Sequence, residues 1–470
     1  ELIKKGYKFK TETDTEVIVR LIESQKKSNF LQAVRKAFLK LAGRNTIIIL
    51  TKDGQIIALR NGSPLVVGVN GQEIYLSSDT LSFAPHVDKV IVVDNGQMVI
   101  VREGIELIAI KSGKKINYKP EKINFSSSKV DKEGYDHFML KEISESPYVI
   151  RQVINQEVDQ SFIKQLKTSK NIYTIGSGTA GLAASQIGLY LRLYGKIKAR
   201  NLIPADIEDY LGLFEAGDLI IAPSQSGETA DVLEVLEEVR KKGVKIASYV
   251  NMPGSSMTRL SDYKFFSRAG PEICVMSTKI FTSQIAWGYL IAKGEGARKN
   301  LKNLADEIEK YLATDSNHVL LKKLAKILVK SKDIFLLGKF QNLNIVKEGM
   351  VKIIEGSYIH AHGIPAGDLK HYAITLMEKG VPVIAVLSND IEKDDVINAV
   401  NEVKARRATV VGISPTPHDR FDYYIPVPDT GETSAIMNII PLQLLAYYMA
   451  VELGNNVDKP RNIAKSVTVK

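Results

Sequence analysis

Chemistry-bearing side chains are densest at Ser224-Gln225-Ser226-Gly227-Glu228-Thr229-Ala230-Asp231. Three hydroxyls, an amide and a glycine stand together here. The apolar run Asp218-Leu219-Ile220-Ile221-Ala222 before them reads as a buried parallel strand, and Val232 to Lys241 after them reads as an amphipathic helix. The cluster is therefore expected at the carboxyl end of a strand and the amino end of a helix. There, free backbone N–H groups and the helix dipole attract anions, and glycine permits close backbone approach. A simple capping box, a hydroxyl followed by an acid, would explain part of the pattern. Three hydroxyl residues within six positions exceed what a cap needs, so the run points to phosphate binding.

The elements that must position this loop follow a regular rhythm. From about residue 170 strands and helices alternate: Asn171 to Ile175 with Gly176-Ser177-Gly178-Thr179-Ala180-Gly181 after it, then the 218–222 strand, then Val244 to Val250. The rhythm returns at Asp333 to Leu337, Val381 to Leu387, a helix Ile391 to Arg406 and Thr409 to Ile413. This predicts two copies of one doubly wound α/β unit, the second without the Ser-rich loop. Residues 1 to about 130 instead alternate short β-like runs with turns, including a hairpin at Asp53-Gly54, and hold helices at Glu16 to Lys26 and Phe30 to Leu41. Residues 112–136 read as a polar linker and His137 to Ile163 as a helical stretch.

The chain has 470 residues and a net charge of +10, with one cysteine, Cys274. Such cysteine usage excludes a disulfide framework or a cysteine-based metal site and fits a reducing cytoplasm. The lysines are dispersed among acids, without a basic stripe bearing aromatics, so no nucleic-acid partner is expected. Glu1 to Lys5 opens no secretory leader, and Ala435 to Val451, interrupted by Asn438, Pro441 and Gln443, reads as a buried helix with no membrane role.

Several motifs occur together: Ser224 to Thr229; Asn251-Met252-Pro253-Gly254-Ser255-Ser256; Ser277-Thr278-Lys279-Ile280-Phe281-Thr282; and Pro460-Arg461-Asn462-Ile463-Ala464-Lys465-Ser466-Val467-Thr468-Val469. With Glu12 to Val17 and His137 to Ile143, this order resembles the glutamine–fructose-6-phosphate aminotransferases across essentially the whole chain, and the first repeat alone resembles the wider sugar-isomerase (SIS) domains. The resemblance implies an α/β fold of two doubly wound parallel-sheet SIS lobes, preceded by part of an α+β glutaminase domain of the N-terminal-nucleophile hydrolase type. It implies boundaries of 1–130 for the glutaminase part, 131–160 for a linker and helix, 161–305 and 306–453 for the lobes, and 454–470 for a tail closing the sugar site.

It further implies synthesis of glucosamine 6-phosphate from fructose 6-phosphate, with glutamine or ammonia as nitrogen donor and no cofactor. The phosphate ligands would be Ser224, Gln225, Ser226 and Thr229, with further sugar contacts at Thr179, Val275, Ser277 and Ala464. Glu355, with Lys352 beside it, would move the proton between C1 and C2, and Lys465 would form a Schiff base with the ketone. His371 would open the sugar ring and come from the partner subunit of a homodimer. Asp14 would grip the glutamine amine.

The residues themselves leave plainer readings beside these. Lys352 and Glu355, three apart on a helix, could form a surface ion pair. Lys465 could lie in a solvated basic tail, although Ala464 and Ser466 to Val469 make that tail half apolar, and burial beside Lys352 would favour a nucleophilic amine. His360, His362 and His371 with Asp368 fit no tetrahedral zinc spacing, so no metal is expected. The chain also departs from the family pattern. Residue 1 is Glu where a catalytic cysteine is usual, so glutamine hydrolysis is not expected from the sequence as it stands. Ala180 replaces a usual Ser, Cys274 a Gly, Tyr372-Ala373 a Gly-Pro, and Pro204 to Glu208 a Ser-Glu-Phe segment. These changes keep two other readings open: an isomerase or deaminase that does not use glutamine, or a non-catalytic sugar-phosphate-binding regulator.

Overall fold

A computed structural model describes the chain apart from residues 26–28, 72, 79, 84–85, 123–130 and 468–470. Part of the expected linker and the last residues of the Pro460 motif lie outside the described residues. The chain forms two compact units, Glu1–Lys129 with Val467–Lys470, and Val130–Ser466.

In the first unit the period-2 pattern of apolar residues builds two antiparallel sheets. The strands are β1 (Asn45–Leu50), β2 (Ile56–Asn61), β3 (Val66–Asn70), β4 (Glu73–Ser77), β5 (Lys89–Val92), β6 (Gln97–Val101), β7 (Ile105–Ala109) and β8 (Glu121–Lys122). They are ordered β1-β2-β6-β7 and β4-β3-β5-β8. Alternation decides which face each side chain serves. Ile57, Leu59, Met98 and Ile100 join Val34 and Phe38 of helix Phe30–Phe38, whereas Ala58, Val99 and Val101 join Val67 and Ile91 from the other sheet and Leu65 just before it. The β1–β2 hairpin turns at Gly54 as expected, with φ +82°.

The second unit opens with three helices, Phe138–Ser144, Ser146–Ile154 and Gln160–Thr168, where the sequence suggested one continuous stretch. Two local signals divide it. Pro147 stands in the first turn of the second helix, where its missing N–H costs nothing. Asp159 caps the third by accepting a hydrogen bond from the Ser161 N–H at 2.8 Å.

Two five-stranded parallel sheets follow. The first contains β9 (Ile172–Ile175), β10 (Ala199–Leu202), β11 (Leu219–Ser224), β12 (Lys245–Val250) and β13 (Tyr263–Phe266), in the order β10-β9-β11-β12-β13. The second contains β14 (Asp333–Gly338), β15 (His360–Pro365), β16 (Pro382–Val386), β17 (Thr409–Ser414) and β18 (Tyr423–Pro426), in the order β15-β14-β16-β17-β18. The two orders are the same doubly wound pattern. Each reverses direction beside its first strand, so ligands are expected at the carboxyl ends of β9 and β11, and of β14 and β16.

One apolar cluster runs through both lobes, including Trp287, Ile353 and Leu442 from the helices Lys279–Lys293, Leu343–Ser357 and Ser434–Glu452. The last is the one helix among the described residues long and apolar enough to cross a membrane, and 94% of its most apolar window is buried inside the protein. Its apolarity thus serves the interior between the lobes.

Candidate active site

The Ser224–Thr229 loop lies where the sequence places it. β11 ends at Ser224 and helix Ala230–Lys241 begins after Thr229. The loop is folded by its own hydroxyls: the Gly227 N–H donates to Ser224 Oγ at 2.9 Å and the Glu228 N–H to Ser226 Oγ at 3.1 Å. Gly227 has φ +69°, and a Cβ there would lie 2.2 Å from Ser255 Oγ and 2.7 Å from Ser255 Cβ. No residue but glycine fits without displacing Ser255. Thr229 occupies the cap position yet makes no side-chain capping bond, and the buried Gln225 Nε2 has no hydrogen-bond partner. A cap alone would have used the Thr229 hydroxyl. Buried donors without partners are costly, and an anion is one way to satisfy them. At the adjacent strand end, Ser177 precedes helix Gly178–Leu193, again without a capping bond and with Oγ buried and unpartnered.

A second cluster stands on helix Leu343–Ser357. Lys352 is fully buried, and its Nζ donates to Glu355 Oε2 at 2.6 Å. The pair is therefore no solvated surface bridge. Glu348, also fully buried, lies 3.4 Å from Lys352 Nζ through Oε1 and accepts the Thr179 hydroxyl on the same atom at 3.1 Å. The last bond ties the first lobe to the second. Burial pushes the Glu348 carboxyl up to about 7, helped by the Glu355 charge and opposed by Lys352 and Thr179. Burial would lower the Lys352 ammonium, but Glu348 and Glu355 outweigh it and hold its pKa above the ordinary lysine value. A permanent cation thus sits beside a carboxylate that is one-quarter exposed and can face a substrate.

The tail supplies the third component. Lys465 Nζ donates to Glu272 Oε2 at 2.5 Å and to the Cys274 carbonyl at 2.7 Å. In place of the neighbouring Lys352 that the sequence suggests for this lysine, its partners are a buried carboxylate and a carbonyl. Burial alone would raise Glu272, but Lys465 and the N–H groups of Thr278 and Ile280 outweigh it and hold the carboxylate below its usual range. Nearby Glu142 is pushed up to about 8 by burial and by the Glu272 charge. Ser466, next to Lys465, donates to Ser226 Oγ at 3.1 Å, so the tail touches the Ser224–Thr229 loop directly.

Val275 and Ser277 are half-buried beside this cluster, with the Val275 N–H on the Asp458 carbonyl at 3.0 Å, while Ala464 is exposed. His371, exposed at the end of the turn Ala366–His371, makes no hydrogen bond to Lys352, Glu355 or Lys465. In the first unit, Asp14 is exposed and opens helix Asp14–Glu23. Sequence reasoning missed Glu348, Glu272 and Glu142. Glu348 carried a usable signal, standing four residues before Lys352 and seven before Glu355 on one helical face. Glu142 carried none beyond its place in the His137–Ile143 motif, and Glu272 lies outside the quoted motifs.

Residues 165–293 and 327–453 match the SIS domain family, and residues 1–84 match a glutamine amidotransferase domain family. A glutamine–fructose-6-phosphate aminotransferase (isomerizing) of Thermococcus kodakarensis is 36% identical over all of this chain and 82% of its own length. One of Pyrobaculum aerophilum is also 36% identical, over all of this chain and 81% of its length. This chain belongs to the glutamine–fructose-6-phosphate aminotransferase family. The C-terminal domain of glucosamine-fructose-6-phosphate aminotransferase from Francisella tularensis superimposes with TM-score 0.63 at 30% identity, covering 70% of this chain and all of that one. Tagatose-6-phosphate ketose/aldose isomerase from Escherichia coli, at 16% identity and TM-score 0.61 over 70% of this chain and 96% of its own, shares the fold. Family membership makes the chain an aminotransferase-type enzyme and assigns the two parallel-sheet lobes as SIS domains.

Proposed function

We propose that this chain makes glucosamine 6-phosphate from fructose 6-phosphate, with nitrogen from glutamine or ammonia. The observation that carries the reading is the tail contact. Lys465 is one residue from Ser466, whose hydroxyl meets Ser226, so a nucleophilic nitrogen stands beside a loop that carries the unpartnered buried donor Gln225 Nε2.

In this reading Ser224, Gln225, Ser226 and Thr229 hold the substrate phosphate. Remote binding at C6 then fixes C1 and C2 for reaction. Thr179, Val275, Ser277 and Ala464 line the sugar, and His371 of a second copy assists ring opening, which makes the working form a homodimer. Lys465 attacks C2 of the open-chain ketone, releasing water and leaving an imine. Ammonia displaces the lysine, giving the C2 imine of the sugar. Glu355 takes a proton from C1 and returns it to C2, and the C1 hydroxyl proton passes to nitrogen, so the imine becomes an amine and C1 an aldehyde. The sum is ketose plus ammonia giving aminoaldose plus water, with no oxidant. The Lys352 ammonium stabilises negative charge that develops during the proton transfer. Asp14 serves the glutamine side by holding the α-amine.

The test is product identification by mass after incubation with fructose 6-phosphate plus ammonium, and in parallel plus glutamine. Glucosamine 6-phosphate in either arm is the expected result. Glucose 6-phosphate alone, or bound sugar phosphate without turnover, would overturn the assignment in favour of an isomerase or a regulator.

A further inference from the structure

From Leu453 to Val467 the chain, which carries Lys465, belongs to no helix or strand, so side-chain contacts must fix the lysine nitrogen. Two do, and both trace to buried carboxylates. Glu272 is fully buried and divides its oxygens. Oε1 accepts the N–H groups of Thr278 and Ile280 at 2.9 and 3.1 Å, at the start of helix Lys279–Lys293, and Oε2 faces Lys465. Glu142, on helix Phe138–Ser144, accepts the N–H groups of Ile273 and Cys274 on its Oε1 at 2.5 and 3.2 Å. Those bonds hold the two peptides that lead into Cys274, whose own carbonyl is the second acceptor for Lys465.

We infer that Glu272 is the positioning residue for Lys465, holding the lysine nitrogen where it meets the sugar ketone while touching no substrate atom itself. The inference rests on the imine-forming role proposed for Lys465. The chemistry suits a fixed carboxylate. An ammonium and a ketone give a protonated imine and water: the nitrogen first gives up a proton to free its lone pair, the C–N bond forms, the carbonyl oxygen takes up protons and leaves as water, and the positive charge returns on the imine nitrogen. A carboxylate beside that nitrogen is matched to both ends of the step, and its anchoring on two backbone N–H groups means that it need not reorganise between them.

The division of labour between the two oxygens makes the role testable apart from folding. In Glu272→Gln the amide oxygen can keep the Thr278 and Ile280 N–H groups, while its NH2 replaces the acceptor facing Lys465. Borohydride trapping with fructose 6-phosphate, followed by peptide mass mapping, reads imine formation at Lys465. Sugar-phosphate Kd is expected to stay within about threefold for Glu272→Gln, while the trapping rate and kcat fall roughly 10- to 100-fold, the scale expected from a misplaced reacting group. Glu272→Asp keeps the charge at a shorter reach and should recover part of the loss; should Glu272→Gln fail to fold, a loss of trapping in Glu272→Asp at unchanged Kd decides the matter. Trapping at Lys465 in the variants at the native rate would overturn this inference while leaving the imine role intact. No label on Lys465 in the native protein would overturn the imine role and this inference with it.

Discussion

Gly227→Ala is the sharpest probe of the Ser224–Thr229 loop. The residue has φ +69°, a left-handed conformation that costs an L-residue about 1–2 kcal/mol. Its new Cβ would also lie 2.2 Å from Ser255 Oγ and 2.7 Å from Ser255 Cβ, and Ser255 is only 5% exposed and cannot swing into solvent. Overpacking of this kind costs roughly 1–3 kcal/mol. The single variant should therefore lose about 2–5 kcal/mol in urea unfolding, if loop strain and overpacking add. Calorimetric titration should show weaker fructose 6-phosphate binding, because the strain falls on the backbone between Ser226 and Thr229. Ser255→Gly removes both clashing atoms and leaves the φ strain, since the next neighbour, Met257 Cβ, is at an ordinary 3.4 Å. Gly227→Ala with Ser255→Gly should accordingly recover the overpacking share, about 1–3 kcal/mol, as a coupling energy between the two sites. Stability of Gly227→Ala within about 0.5 kcal/mol of the native chain, the range of ordinary surface changes, would refute the loop geometry. So would a double variant no better than the single one.

Further expectations follow from the other two clusters. Ser226→Ala removes a hydroxyl that meets Ser466 and accepts the Glu228 N–H, and should weaken fructose 6-phosphate binding by about 10-fold or more in titration, the scale of a hydrogen bond to a charged group, with a stability loss of about 1 kcal/mol. Glu355→Gln should lower kcat by about 10²–10⁴ with sugar binding retained, as expected for loss of a proton-transfer group. Glu348 makes a signed pH prediction. The folded state holds a proton up to about pH 7 that an ordinary carboxyl releases near 4.5, so this group's favourable contribution is complete below the lower value and is lost as pH rises to the upper one. Unfolding measured across that window should show the native chain losing up to about 3 kcal/mol relative to Glu348→Gln, at about 1.4 kcal/mol per pH unit. A parallel pH dependence in the two proteins would contradict the assignment.

The parts of this site that were legible in sequence are local. An apolar run, a polar cluster and an amphipathic run suffice to place Ser224–Thr229 between a strand and a helix. Spacing of three suffices to pair Lys352 with Glu355. Period-2 alternation places Ile57 and Ala58 on opposite faces of one strand. What stayed hidden depends on contacts between distant segments. Thr179 and Glu348 are 169 positions apart, and Lys465 and Glu272 are 193 apart. No periodicity links such pairs; only the docking of the two lobes and the return of the tail bring them together. Burial was equally hidden, since an i,i+3 pair reads the same on a solvated helix as on one packed against Ser434–Glu452. The division of 137–163 into three helices was legible in principle, from Pro147 and Asp159, yet the apolar periodicity on both sides masked it.

The central claim is that a carboxylate on helix Leu343–Ser357 moves a proton between C1 and C2 of a sugar phosphate held by the Ser224–Thr229 loop. Solvent exchange tests it without any nitrogen donor. Fructose 6-phosphate incubated with the chain in deuterium oxide should gain deuterium at C1, read by mass and NMR, and Glu355→Gln should abolish the exchange while still binding the sugar. Equal exchange in Glu355→Gln, or none in the native chain with sugar phosphate bound, would contradict the account.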